Sequence, residues 1–289
     1  MNSETRLPRG VKKNEEKTER KRPIGVFDSG LGGLTVFSEI RNALPNENLI
    51  YFGDTARVPY GTKSPAIVER YTMEIVNFLM SCDVKMIVIA CNTSTAIAYK
   101  KVRQKIKIPV VGVIEPACIV ASSITSGGRI GVIGTRITVQ SGAYSEKLIE
   151  INPKAKVFQK ACPLFVPLVE EGFTSGDIID LVAREYLSEF DDADIDTLIL
   201  GCTHYPMIRS VVADNVKSTV NIIDSAKQTA LFVKTILNET DALNESKKSG
   251  NEKFYLTDAS CNFVTVGEKF LKRPIKNVSV VKVWDILLQ

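Results

Sequence analysis

The chain predicts an α/β protein: two similar parallel-sheet α/β domains related by pseudo-symmetry, with the active site in the cleft between them. Three observations lead there. Short apolar runs alternate with helical stretches, the pattern of βαβ units. The run 86–90 ends in Cys91-Asn92-Thr93-Ser94-Thr95, and the run 197–201 ends in Cys202-Thr203-His204-Tyr205-Pro206, the same order of apolar strand, small residue, cysteine and hydrogen-bonding residues. Finally, Ile130-Gly131-Val132-Ile133-Gly134-Thr135 echoes Ile24-Gly25-Val26-Phe27-Asp28-Ser29 at an offset of 106 residues, and both are followed by Thr-Val and a helical stretch. One internal echo is a duplicated domain, not a repeat array.

Taken in order, 24–27 is a strand that ends in the turn Asp28-Ser29-Gly30-Leu31-Gly32-Gly33-Leu34-Thr35. A dinucleotide fingerprint from Gly30 would need glycine where Thr35 stands, so the turn offers backbone N–H groups to a small anion instead. A second strand at 48–52 delivers Gly53-Asp54-Thr55. After Val58-Pro59-Tyr60-Gly61-Thr62, Ser64-Pro65 opens a helix with Ile67, Val68, Tyr71, Ile75, Phe78 and Leu79 on one face. The Cys91 strand, a helix to about residue 106 and a strand at 109–114 complete the first half. The second half starts at Arg129, lacks the acid of the first turn, and carries Glu170-Glu171 in the segment 162–172. Strand 220–223 closes it. The tail holds a helix at 226–237, a polar loop, and strands near 254–256 and 278–283. The expected division is 1–22 as a disordered basic arm, 23–115 plus 226–289 as the first domain, and 116–225 as the second.

The arm holds eight Lys/Arg against four Glu, which leaves 29 basic and 29 acidic side chains in the rest. The body is neutral and the arm is basic. We read the arm as a solvated extension rather than a nucleic-acid contact. No apolar run reaches the ~20 residues that span a bilayer. The start of the chain lacks the apolar core of a signal peptide, and six cysteines without a C-x-x-C pair fit a reducing compartment, so a cytoplasmic location is expected. No metal is expected: Cys202-x-His204 is not a usual ligand spacing, and His204 is the chain's only histidine.

A single buried cysteine is usually a small hydrophobe, the reading for Cys82, Cys118, Cys162 and Cys261. Cys91 and Cys202 differ. Both stand beyond strand carboxyl ends, where open α/β sheets bind ligands. Both are expected beside a helix N-terminus, which lowers a thiol pKa. They also form a matched pair. A dithiol oxidoreductase would place its cysteines adjacent, and a cysteine hydrolase needs only one. Inversion of a carbon stereocentre needs two monoprotic acid/bases, one on each face, a role that one thiolate and one thiol meet.

The segments Asp28–Thr35, Gly53–Gly61, Ala90-Cys91-Asn92-Thr93 and Gly201–Pro206, in this order, resemble the glutamate racemases of the aspartate/glutamate racemase family. The likeness runs from about residue 23 onward. It implies a cofactor-independent isomerase that interconverts L- and D-glutamate and supplies D-glutamate for peptidoglycan, in a bacterial cytoplasmic homodimer. Carried over residue by residue, it makes Cys91 and Cys202 the two bases, Asp28 the assistant of Cys91 and His204 that of Cys202. Asp28, Ser29, Tyr60, Gly61, Asn92, Thr93, Thr203 and His204 would line the substrate, with Asp54 and Glu170 as accessory acids. The residues themselves leave other roles open: Ser29, Thr93 and Thr203 as helix caps, Asp54 as the organiser of its own turn, His204 as a core residue. Aspartate as the substrate, or a thiol redox sensor without turnover, are the competing readings. A pyridoxal phosphate enzyme is disfavoured because no lysine stands at these strand ends.

Overall fold

A computed structural model describes residues 18–258, 262–271 and 273–283. Residues 1–17, most of the basic arm, and Cys261 lie outside the described residues.

The first sheet contains β1 (Ile24–Asp28), β2 (Leu49–Gly53), β3 (Met86–Ile89) and β4 (Val110–Gly112). Helix α1 (Leu34–Ala43) follows β1, α2 (Pro65–Ser81) follows β2, and α3 (Asn92–Lys105) follows β3. α4 (Ile114–Ile124) then leads to the second sheet. There, β5 (Arg129–Gly134) is followed by α5 (Arg136–Gln140) and α6 (Ala143–Ile151). β6 (Lys156–Ala161) is followed by α7 (Phe165–Glu170), α8 (Asp177–Leu187) and α9 (Glu189–Ala193). β7 (Thr197–Gly201), α10 (Arg209–Asp214) and β8 (Asn221–Asp224) complete this sheet. The chain returns through α11 (Ser225–Glu239), adds β9 (Glu252–Leu256), and ends in α12 (Asn262–Leu271) and β10 (Val278–Val280).

Every pairing in both sheets is parallel. The orders are β10-β9-β2-β1-β3-β4 and β6-β5-β7-β8, so β2-β1-β3-β4 repeats as β6-β5-β7-β8. The pseudo-symmetry read from the echo at offset 106 is thus carried by whole strand order. The central strands are buried along their full length, IGVFD in β1 and TLILG in β7, as a sheet covered on both faces requires. Tail strands β9 and β10 extend the first sheet beyond β2. α11 packs against α1 and α4, and so ties the return segment to both halves.

Some of these expectations need correcting. β6 was not foreseen, because KVFQKA at a half-exposed edge has no apolar run. The strand at 109–114 is only Val110–Gly112, since α4 begins at Ile114, and the strand at 278–283 stops at Val280. Ser64 is the N-cap of α2 with Pro65 in its first turn, as expected, although its side chain makes no capping hydrogen bond. Cys202 does not stand at an α-helix N-terminus: the chain makes a 3-10 turn at Tyr205–Ile208 before the short α10.

In each sheet the strand order reverses at the central pair, β1/β3 and β5/β7. There the connections after the two strands run to opposite sides of the sheet and leave a crevice beyond the carboxyl ends. Asp28 and Cys91 lie at the first crevice, Thr135 and Cys202 at the second.

Candidate active site

The two crevices meet. Thr203 Oγ1 donates to Asp28 Oδ1 at 3.4 Å, and Tyr144 Oη donates to Asn92 Oδ1 at 2.7 Å. Thr93 Oγ1 lies 3.0 Å from Thr135 Oγ1 and 3.3 Å from Thr138 Oγ1. Each of these bonds joins a residue of the first half to one of the second. Asp28, Ser29, Cys91, Asn92, Thr93, Cys202, Thr203 and His204 are all buried.

Cys91 is itself the N-cap of α3: its sulfur accepts from Ser94 N at 3.4 Å. On its other side the thiol donates to Ser29 Oγ at 3.6 Å. The helix N-terminus does not prevail here. Burial, with the charge of Asp28 added, pushes the Cys91 thiol up to about 11, and the bonds to Ser94 and Ser29 only partly offset it. The expectation of a lowered thiol pKa is therefore wrong for Cys91. At neutral pH it is a thiol, a proton donor.

Cys202 has a different neighbour. His204 Nδ1 lies 3.9 Å from Cys202 Sγ and 3.5 Å from Thr203 Oγ1, while Nε2 lies 3.0 Å from Glu170 Oε1. Burial opposes an imidazolium, but the hydrogen bonds and charges of Cys202 and Glu170 outweigh it and push His204 up to about 10. Glu170 reaches this ring from the last residue of α7, with 31% of its side chain exposed. The edge of Phe270, on α12, completes the housing, its ring at 83° to the imidazole and 5.6 Å away. The site is thus asymmetric: one crevice holds a hydroxyl-flanked thiol, the other a sulfur with a cationic neighbour.

Asp28 does not bond Cys91 directly. Its Oδ2 accepts from Gly30 N at 2.9 Å, so the carboxylate itself takes up an N–H of the glycine turn that was assigned to an outside anion. Burial raises its pKa, against the pull of His204 and of the N–H groups of Gly30, Gly33 and Ser29. None of the three suspected caps is one. Ser29 turns to Cys91, the N-cap of α1 being Gly33; Thr93 turns to the second half, and Thr203 to Asp28.

Asp54 is fully engaged. Its oxygens accept from Arg57 Nε at 2.7 Å and 3.0 Å, from Thr257 Oγ1 at 2.8 Å and from Tyr60 Oη. Arg57 also pairs with Glu74, and its guanidinium lies 3.9 Å from the Tyr71 ring centroid. Asp54 therefore organises the loop that carries Tyr60 and Gly61. Tyr60 packs beside Cys91, and an added Cβ on Gly61 would come within 2.7 Å of Thr135 Cβ.

Sequence reading missed Tyr144, Thr135, Thr138, Gly32 and Phe270. The echo places Thr135 opposite Ser29, which was a usable signal for that residue alone. Gly32 matters by what it lacks: a Cβ there would lie 2.3 Å from Thr203 Oγ1 and 2.5 Å from His204 Nδ1.

The site thus lies between paired crevices in two duplicated α/β halves, each with a sulfur. Comparison with known proteins gives the class. Residues 24–232 match the Asp/Glu/Hydantoin racemase family. The chain is 50% identical over 248 residues to a glutamate racemase of Geobacter metallireducens, covering 86% of this chain and 92% of that one. It is 44% identical over 267 residues to a glutamate racemase of Neisseria meningitidis, covering 92% and 98%. A crystal structure of glutamate racemase from Francisella tularensis in complex with D-glutamate superposes with a TM-score of 0.87 at 43% identity, covering 91% of this chain and 98% of that one. The chain belongs to the Asp/Glu/Hydantoin racemase family and is an amino-acid racemase, an isomerase.

Proposed function

We propose that this racemase interconverts L- and D-glutamate without a cofactor: one of Cys91 and Cys202 removes the α-proton, and the other delivers its own proton to the opposite face. The observation that supports it most is the unequal pair of sulfurs at the two crevices, one a thiol and one beside an imidazolium, within a shared polar lining. Relatives named as glutamate racemases, one of them solved with D-glutamate, support glutamate as the substrate.

In this reading Cys202, as thiolate beside His204, removes the α-proton and becomes a thiol. The charge passes into the substrate α-carboxylate, held by short neutral donors such as Asn92, Thr93 and Thr203. Cys91 delivers its proton to the opposite face and is left as the thiolate, the form that serves the other enantiomer. Atoms and charge balance over each half-cycle, and Asp28 and His204 hold the two resting states. We further propose a cytoplasmic homodimer that supplies D-glutamate for peptidoglycan, built of domains 23–115 plus 226–289 and 116–225. No helix among the described residues is long and apolar enough to cross a membrane.

The test is turnover of L- and D-glutamate, with aspartate in parallel, in EDTA and with no cofactor added, run in D2O. With two monoprotic bases the delivering thiol has exchanged with solvent beforehand. Early product then carries deuterium at the α-carbon while unreacted substrate stays protonated. Substantial return of the substrate's own hydrogen into product points to a single polyprotic base, and loss of turnover on chelation to a metal.

Glu170→Gln is expected to move the alkaline limb of kcat/KM toward lower pH by about one unit, the scale of one lost neighbouring charge. The sign follows from His204, which Glu170 and Cys202 together hold cationic up to about 10. Without Glu170 the proton leaves sooner. The same raised pKa stabilises the fold fully below the unfolded value of about 6.5 and loses that effect as pH climbs toward 10. Groups around the imidazole are Cys202, Thr203, Asp28 and Phe270, none of which the substitution alters. An unmoved limb would remove Glu170 from the mechanism.

A further inference from the structure

Tyr144 lies in the first turn of α6, in the second half, and is completely buried. It touches both crevices. Its hydroxyl donates 2.7 Å across to Asn92 Oδ1, next to Cys91. Its ring lies against Gly201, where an added Cβ would come within 3.1 Å of Tyr144 Cε2, just before Cys202. Burial raises the phenol well above its ordinary value, with the charges of Cys118 and Cys202 adding to it, so the group stays a neutral donor.

Asn92 is the first residue of α3 and only 2% exposed. Its oxygen is taken by Tyr144, and its Nδ2 is buried with no hydrogen-bond partner among the described residues. A buried donor left unmatched is costly, so an amide free to turn would seek a partner within the protein. The Tyr144 hydroxyl prevents that. As it donates, it fixes the oxygen end of the amide, and both N–H bonds are left for an acceptor beside Cys91.

We propose that Tyr144 is a positioning residue that orients the Asn92 amide so that Nδ2 donates to a substrate carboxylate. This rests on the reading of the site as a glutamate racemase site. It makes the bond between the halves part of substrate recognition: the second half sets the donor that the first half presents. The carboxylate satisfies Nδ2 only while the halves stand at this separation.

The experiment is a cycle of Tyr144→Phe, Asn92→Ala and the double variant on the full chain, with kcat and KM for both enantiomers. Tyr144→Phe is expected to raise KM about tenfold, the scale of one hydrogen bond, with kcat changed less than about threefold. In the Asn92→Ala background it should do nothing further, a non-additivity that loss of fold alone would not produce. Asn92→Asp provides a second arm that leaves Tyr144 intact. It keeps an acceptor for the hydroxyl but turns an oxygen toward the substrate, so KM should rise at least as much. Additive effects in the cycle, or wild-type KM in Tyr144→Phe or Asn92→Asp, overturn the proposal. Wild-type enzyme inactive on glutamate is a separate outcome: it defeats the glutamate reading, and with it the proposal.

Discussion

Cys91→Ala and Cys202→Ala should each lower racemisation of both enantiomers by about 10^3-fold or more, the upper range for loss of a positioned acid or base. The effect has to be symmetric, because each half-cycle uses one sulfur as base and the other as acid. Neither crevice offers a substitute: Ser29 beside Cys91 and Thr203 beside Cys202 carry hydroxyls far too weakly acidic to exchange the roles. Cys82→Ala is the control. That residue caps the end of α2, remote from both crevices, and its loss should leave turnover near normal. Near-normal turnover of either Cys91→Ala or Cys202→Ala would refute the two-thiol reading.

Gly32→Ala is expected to lower kcat/KM by about 100-fold while the protein stays folded, as a displacement of about 1 Å in a reacting group can do. One methyl group would have to share space with the Thr203 hydroxyl and the imidazole of His204. Both belong to the second half, so the clash pushes that half's groups away from Asp28. Gly176→Ala provides the contrast. Gly176 has φ of 93° and nothing within 4 Å of an added Cβ, so the substitution should cost about 1 kcal/mol of stability through backbone strain and leave activity alone. Thermal unfolding and kinetics of both variants separate the two effects. Equal kinetic losses would show that close approach at Gly32 is not what the site depends on.

The central strands were legible because each is a short apolar run buried on both faces and ended by a polar turn. The same runs delivered Asp28, Cys91 and Cys202 to their places. β6 was not legible, since an edge strand half in water has no such composition. Tyr144 gave no local signal, because its partner Asn92 lies 52 residues away in the chain and only the meeting of the halves brings them together. The state of Cys91 was misread for a related reason. A helix N-terminus can be seen in sequence, but the burial that overrides it depends on the whole fold. At Cys202 the chain makes a 3-10 turn that contains Pro206, and the buried His204, not an α-helix N-terminus, stands beside the sulfur.

That histidine is the only one in the chain. The protein consequently carries a built-in spectroscopic reporter at its site. Any imidazole resonance of the full-length enzyme, in a nitrogen-detected or long-range proton–nitrogen NMR spectrum, comes from His204 with no selective labelling and no assignment step. Its two ring nitrogens face different partners, Nδ1 the sulfur of Cys202 and Nε2 the carboxylate of Glu170. Their separate shifts would therefore follow the charge on the sulfur and on the carboxylate side independently, while substrate is bound and turned over.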